Sequence, residues 1–392
     1  MAEFRLLKQA DLSLEVVILL FAGMAMLILG LLLFPVYAGV LPYYENGLFG
    51  LMLVVFALQI VSMGKTPFGD IKKSPAAVVC GVIISAVGIV TCFIPGLLGI
   101  VPRILLILFF GAGGLVLFLQ MVLRKDRYRL WRTYGGIFHH LSAACAAVYL
   151  TQILIAVLIF KPDLVTGPQM ASAALVYGLL LIYLALVLHA ITRRYPRAQE
   201  TAPSDGGLSM DNATLLLMAV FMLLLGLLLL LVNLGLLQFS GSAQLGLLMV
   251  LFAIQMLALG STPIGAFKRS WLMILLGFLF AALGVVSCII PNILVVPLTF
   301  LVGVLNMAGG IIGIIRVTVP FLKRRKASEP VPTILLKINS ANLVMNILTI
   351  LFGTTMLVSN LIPGIILGGV LAANGCVLFY LVQQLLSLEK GQ

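Results

Sequence analysis

Gln59 and Gln255 are the polar side chains with the most chemical promise, because each lies inside a long apolar run and both share the setting Phe-Ala-x-Gln, at Phe56–Gln59 and Phe252–Gln255. An amide placed in hydrocarbon needs hydrogen-bond partners, so each is expected to face another helix or a cavity. One outcome is interhelical bonding, worth roughly 0.6 kcal/mol on average; the other is a pair of ligand-binding groups around a pseudo-twofold cavity. His139 and His140 open one apolar run and His189 closes the next. Antiparallel helices would bring His140 and His189 to similar depth, where they could ligate haem, bind a metal or sense protons, or simply make interfacial hydrogen bonds. The five cysteines, Cys80, Cys92, Cys145, Cys288 and Cys376, are too scattered for a zinc motif and are expected to pack as small apolar residues. Cys92 and Cys288 differ from the rest, since both stand before Ile-Pro in equivalent segments. A bridge between them would need Cα atoms within about 7 Å.

What is missing narrows the chemistry further. No Asp, Glu, Lys or Arg occupies the middle of any apolar run, which disfavours proton coupling through a buried carboxylate and carriage of charged substrates. No Gly-rich nucleotide loop, metal-ligand cluster or nucleophile–base pair is present, and the loops are too short for a soluble catalytic domain. Neither catalysis nor a resident cofactor is expected.

The elements that hold these residues follow from composition. The chain of 392 residues is 62% apolar and 9% charged, with a mean hydropathy of +1.22, against about 25% charged for a soluble domain. Lipid must solvate most of it. Twelve apolar runs are long enough to cross a bilayer as helices, at 14–38, 46–64, 75–94, 100–123, 137–160 and 170–192, then 211–237, 243–260, 270–290, 293–319, 338–359 and 362–386. They are continuously apolar and do not alternate, which excludes a membrane barrel. The expected fold is an all-α polytopic membrane protein.

Charge then predicts the orientation. With the N-terminus inside, 22 of the 24 basic residues fall in inward segments, and only Arg103 and Lys161 fall outside. Ten acidic residues lie inside and two, Glu45 and Asp163, lie outside. Both termini are therefore expected in the cytoplasm of a cell (inner) membrane protein. The basic inner face suits anionic lipid and is no argument for nucleic acid. The first apolar run is too long for a signal-peptide core and is expected to remain as the first membrane helix.

Residues 50 to 95 recur at 246 to 291 at a constant offset of 196, with 19 of 46 positions identical, among them Gly64-x-Thr66-Pro67-x-Gly69 and Cys92-x-Ile94-Pro95. The repeat divides the chain into a first six-helix membrane half, 1–192, a polar cytoplasmic linker, 193–210, and a second six-helix half, 211–392. An even number of helices per half makes the two repeats parallel. Pro95 and Pro102, echoed by Pro291 and Pro297, mark tight apolar hairpins at the outer ends. Gly81 and Gly88, with their counterparts Gly277 and Gly284, are expected to let helices approach closely.

In outline, a parallel six-plus-six chain of this length resembles the major-facilitator transporters, although Asp70 lies six residues after Gly64 and the second copy carries Ala266 there. The fragment Ile28-Leu29-Gly30 through Phe34-Pro35, then Gly47 and Gly50, with Gly81, Gly88, Pro95 and Gly113-Gly114, resembles the hairpin units of HdeD-type acid-resistance membrane proteins, here doubled. That resemblance implies a stress-related membrane protein and carries over no catalytic residue. Three functions follow as expectations: a permease or translocator for a neutral or amphipathic molecule, a non-transporting stress factor or scaffold subunit of a membrane complex, and a redox protein centred on His140 and His189.

Overall fold

The computed structural model describes residues 12–63, 65–66, 68–70, 74–123, 136–195, 210–259, 261–262, 265–266, 270–326, 333–358 and 363–390. The first half holds helices α1 (Leu14–Tyr37), α2 (Glu45–Met63), α3 (Pro75–Phe93), α4 (Val101–Leu123), α5 (Ile137–Phe160) and α6 (Gly167–Arg194). The second holds α7 (Met210–Asn233), α8 (Gly241–Leu259), α9 (Trp271–Ile289), α10 (Val295–Lys326), α11 (Thr333–Leu357) and α12 (Gly364–Lys390). Ten of these are long and apolar enough to cross a membrane, while α2 and α8 have shorter apolar stretches, Glu45–Val61 and Gly241–Leu257. Between α2 and α3 the chain makes a minimal antiparallel hairpin, β1 (Lys65–Thr66) with β2 (Gly69–Asp70), and between α8 and α9 another, β3 (Ser261–Thr262) with β4 (Gly265–Ala266).

From α1 to α3 and from α7 to α9, every element bound is displaced by the same 196 residues as the sequence repeat. The local chemistry that sets those bounds also repeats. Ser74 caps α3 by accepting the Ala77 N–H at 3.3 Å, and Ser270 caps α9 by accepting the Met273 N–H at 3.4 Å. Gly39 and Gly235 end α1 and α7 with the same left-handed φ of 74°, a conformation that relieves the last carbonyls of a helix. The proline turn after α3 needs a left-handed residue at Gly96 (φ 76°), and Asn292 (φ 68°) serves that role after α9, asparagine being the side chain that best tolerates it.

Packing follows one plan in both halves: α1 lies along α6, α2 along α3, and α4 along α5, matched by α7 with α12, α8 with α9, and α10 with α11. Small residues permit these approaches. A Cβ at Gly88 would sit 2.8 Å from the Gly50 carbonyl oxygen, and one at Gly284 would sit 2.6 Å from that of Gly246. The halves join through α1, α2 and α3 on one side and α7, α8 and α9 on the other, with α1 against α9 and α3 against α7. Aromatic rings fill that seam: Phe93 meets Phe221 edge-on at 5.6 Å and Phe239 at 6.0 Å, and Phe93 and Phe221 are fully buried.

Candidate functional site

A cavity of about 560 Å³ opens inside the first half, enclosed by α1, α2, α4, α5 and α6 and bounded at one end by the β1–β2 hairpin. Its lining is mostly aliphatic and aromatic, with a few polar groups at defined heights. Glu15, Thr66 and Gln120 lie toward the hairpin end; Gln59 stands on α2; Gln152 and Tyr177 reach in from α5 and α6. From Glu15 to Met26 the lining of α1 extends over eleven residues, about 16 Å at 1.5 Å per residue.

The irregularity that shapes the cavity is in α4. At Leu108–Ala112 the helix widens to a π turn, so that the Gly113 N–H reaches back to the Leu108 carbonyl. Widening loosens the carbonyls of that turn, and the buried Gln152 amide donates to the Phe109 carbonyl oxygen at 3.3 Å. The turn also places two successive aromatic rings on α2, each 5.4 Å from Phe56 and edge-on to it, and Phe110 continues to Tyr177 at 6.0 Å. Phe56, Phe110 and Tyr177 thus form a continuous aromatic wall. In the second half α10 runs as uninterrupted α-helix from Val295 to Lys326. Replacing Gln152 by leucine is expected to lower stability by about 1–3 kcal/mol, because the Phe109 carbonyl loses its side-chain donor in a buried setting. Thermal unfolding in nanodiscs, with hydrogen exchange at residues 108–113, measures it.

Among the described residues, two side chains hold the hairpin at the cavity. Thr66 Oγ1 donates to the Gly69 carbonyl at 2.7 Å and accepts the Phe68 N–H at 3.3 Å, closing the turn on itself. Gln120 on α4 donates to the Phe68 carbonyl at 3.2 Å, and the Phe68 ring lies edge-on to Phe109 at 6.3 Å. Gly69, at φ 127°, has no room for a Cβ without pressing on the Gln120 amide. Loss of the Gln120 amide in a Gln120→Ala variant is expected to raise hydrogen exchange at Phe68 and Gly69 while leaving α4 protected.

The residues singled out in the sequence fare differently. Gln59 lines the cavity; Gln255 is half-buried on α8 and is not among its lining residues. The cavity is therefore not a shared chamber on the pseudo-twofold axis. His139 and His140 are exposed and His189 is half-buried. Nδ1 of His140 lies 2.8 Å from the Tyr183 phenol oxygen. Tyr183 stands six residues before His189, about 9 Å along α6. Among the described residues no group of three or more His, Cys, Asp or Glu side chains is placed to hold a metal. Cys92 and Cys288 are both free and fully buried, and their thiols meet at the seam between the halves. Glu15, Gln120, Gln152, Tyr149 and Tyr177 were not distinguished in the sequence. Gln152 left a usable trace there, as a lone amide near the centre of an apolar run.

No family model, curated protein or solved structure matches this chain.

Proposed function

We propose that this integral membrane protein holds a small neutral or amphipathic molecule in the cavity of its first half, as a non-transporting stress factor or scaffold subunit of a membrane complex. In this reading the chain crosses the bilayer twelve times as two parallel six-helix repeats. Both termini and the basic loops lie in the cytoplasm of the cell (inner) membrane, beside anionic lipid. The common offset of 196 residues in α1–α3 and α7–α9 supports the repeat. The distribution of Lys and Arg supports the orientation.

The observation that carries the functional reading is the cavity's position. A carrier that alternates by rocking one repeat against the other places its site between them; here the space lies within one half, and Phe93 packs on Phe221 and Phe239 across the seam between halves. An aromatic wall with isolated amides suits an apolar body bearing one or two hydrogen-bonding groups. A permease is the second reading, favoured by the pseudo-symmetry of the two halves.

Two measurements in liposomes separate the readings. A long-chain alcohol bearing a photoreactive diazirine is expected to label α1, α2 or α5 at cavity residues, and labelling confined to lipid-facing side chains removes the binding proposal. Efflux of neutral and amphipathic solutes is expected to match that of empty vesicles. Protein-dependent flux that disappears in a cavity-filled variant establishes the permease instead.

A further inference from the structure

We infer that Cys92 and Cys288 form a latent covalent staple, a site where oxidation joins the two halves of the chain through a disulfide. The two cysteines are equivalent under the 196-residue offset and each is the last residue but one of its helix, α3 and α9. Their surroundings are equivalent as well. The Cys92 thiol lies 3.4 Å from the Gly47 carbonyl oxygen, and the Cys288 thiol lies 3.7 Å from that of Ala243, the residue in register with Gly47.

The chain on either side of them is cross-tied. The Tyr44 N–H donates to the Ile289 carbonyl at 2.9 Å, and the Ser240 N–H donates to the Phe93 carbonyl at 2.9 Å, so each half bonds the residue that follows the other half's cysteine. The Tyr44 phenol adds a bond to the Cys92 carbonyl at 3.0 Å. A side chain at Gly47 would run into the carbonyl of Cys288 itself. One glycine therefore touches one cysteine's sulfur and the other's backbone. The thiols are neighbours across the pseudo-twofold axis, and both are free. Cys80 and Cys376 are exposed on outer helix faces, and Cys145 belongs to the cavity wall.

The reaction breaks two S–H bonds and forms one S–S bond. The two protons and two electrons pass to a small uncharged two-electron acceptor dissolved in the membrane, such as a quinone, which becomes the hydroquinone, or an azodicarboxamide, which becomes the hydrazine. Both sulfurs are fully buried, so the step depends on an oxidant that enters lipid and on brief opening of the seam. The product fixes α3 to α9 and closes a loop of almost 200 residues, a constraint that acts on the unfolded chain.

The test uses the full chain in nanodiscs with a site for a sequence-specific protease inserted between residues 196 and 209. After treatment with the azodicarboxamide diamide, blocking of remaining thiols and cleavage, the two halves are expected to run together on a non-reducing denaturing gel and to separate on reduction. Mass spectrometry of the uncleaved protein is expected to find the peptides of Cys92 and Cys288 joined. Cys92→Ala and Cys288→Ala are each expected to release the halves without reductant while keeping the melting temperature of the reduced parent. Separation of the halves after oxidation of the parent, with Cys80 and Cys376 modified as a control for reagent activity, overturns the proposal. So does a linkage through Cys145.

Discussion

Filling the cavity through Ala22→Phe is expected to reduce photolabelling of the first half by at least about tenfold, a change of about 1.4 kcal/mol in binding, without lowering the melting temperature. Ala22 lines the cavity from α1, so the added ring enters existing space in place of a packed core. Overpacking normally costs about 1–3 kcal/mol; a void offsets that cost by giving the ring contacts it would otherwise lack. Ala22→Leu fills less and is expected to reduce labelling less. Unchanged labelling in the phenylalanine variant, measured at equal protein in liposomes, would mean that the probe binds elsewhere and that the cavity is incidental.

A large loss of stability is expected at Gly88. A Cβ there would stand 2.8 Å from the Gly50 carbonyl oxygen and 3.0 Å from Leu53 Cβ, against atoms of α2 that cannot move without shifting the helix. Gly88→Ala is expected to cost about 1–3 kcal/mol, and Gly88→Leu more, enough to abolish folded yield. Gly369, where a Cβ would meet nothing within 4 Å, provides the control. Its alanine variant is expected to melt with the parent. Equal melting of Gly88→Ala and Gly369→Ala would show that α2 and α3 are not in the close register described.

The seam places its own limit on mechanism. Rocking the halves apart would have to separate Phe93 from Phe221 and Phe239 and break the paired bonds from Tyr44 and Ser240. Among the described residues, the hairpin over the cavity is held to α4 by the Gln120 amide and the Phe68 ring. Burial pushes the Tyr44 phenol up from its ordinary range, so it stays a neutral donor to the seam at physiological pH.

Much of the helical framework was legible in the residues. The runs expected at 14–38, 100–123 and 137–160 correspond to Leu14–Tyr37, Val101–Leu123 and Ile137–Phe160, because an apolar run in lipid must satisfy its backbone internally. Where expectation and structure part, the reason is also physical. The run expected to end at 319 continues as helix to Lys326, past Pro320 and into charged residues. Hydropathy measures where lipid contact ends, whereas hydrogen bonding decides where a helix ends. Likewise α11 begins at Thr333, ahead of the apolar run expected from 338.

The sequence by itself determined the helical, apolar class of this protein and the place of Gln59 within an apolar run, since these depend on side-chain type and on spacing along the chain. The tertiary structure alone decided that Gln59 serves a cavity within one half, that Gln255 is not among its lining, and that Glu15, Gln120 and Gln152 accompany Gln59. It also decided that His140 bonds Tyr183, and that Cys92 meets Cys288. Each of these depends on which helix faces which, and near-uniformly apolar helices carry little periodic signal to say so. In lipid one greasy face is as good as another until close packing of glycines and a single widened turn choose between them.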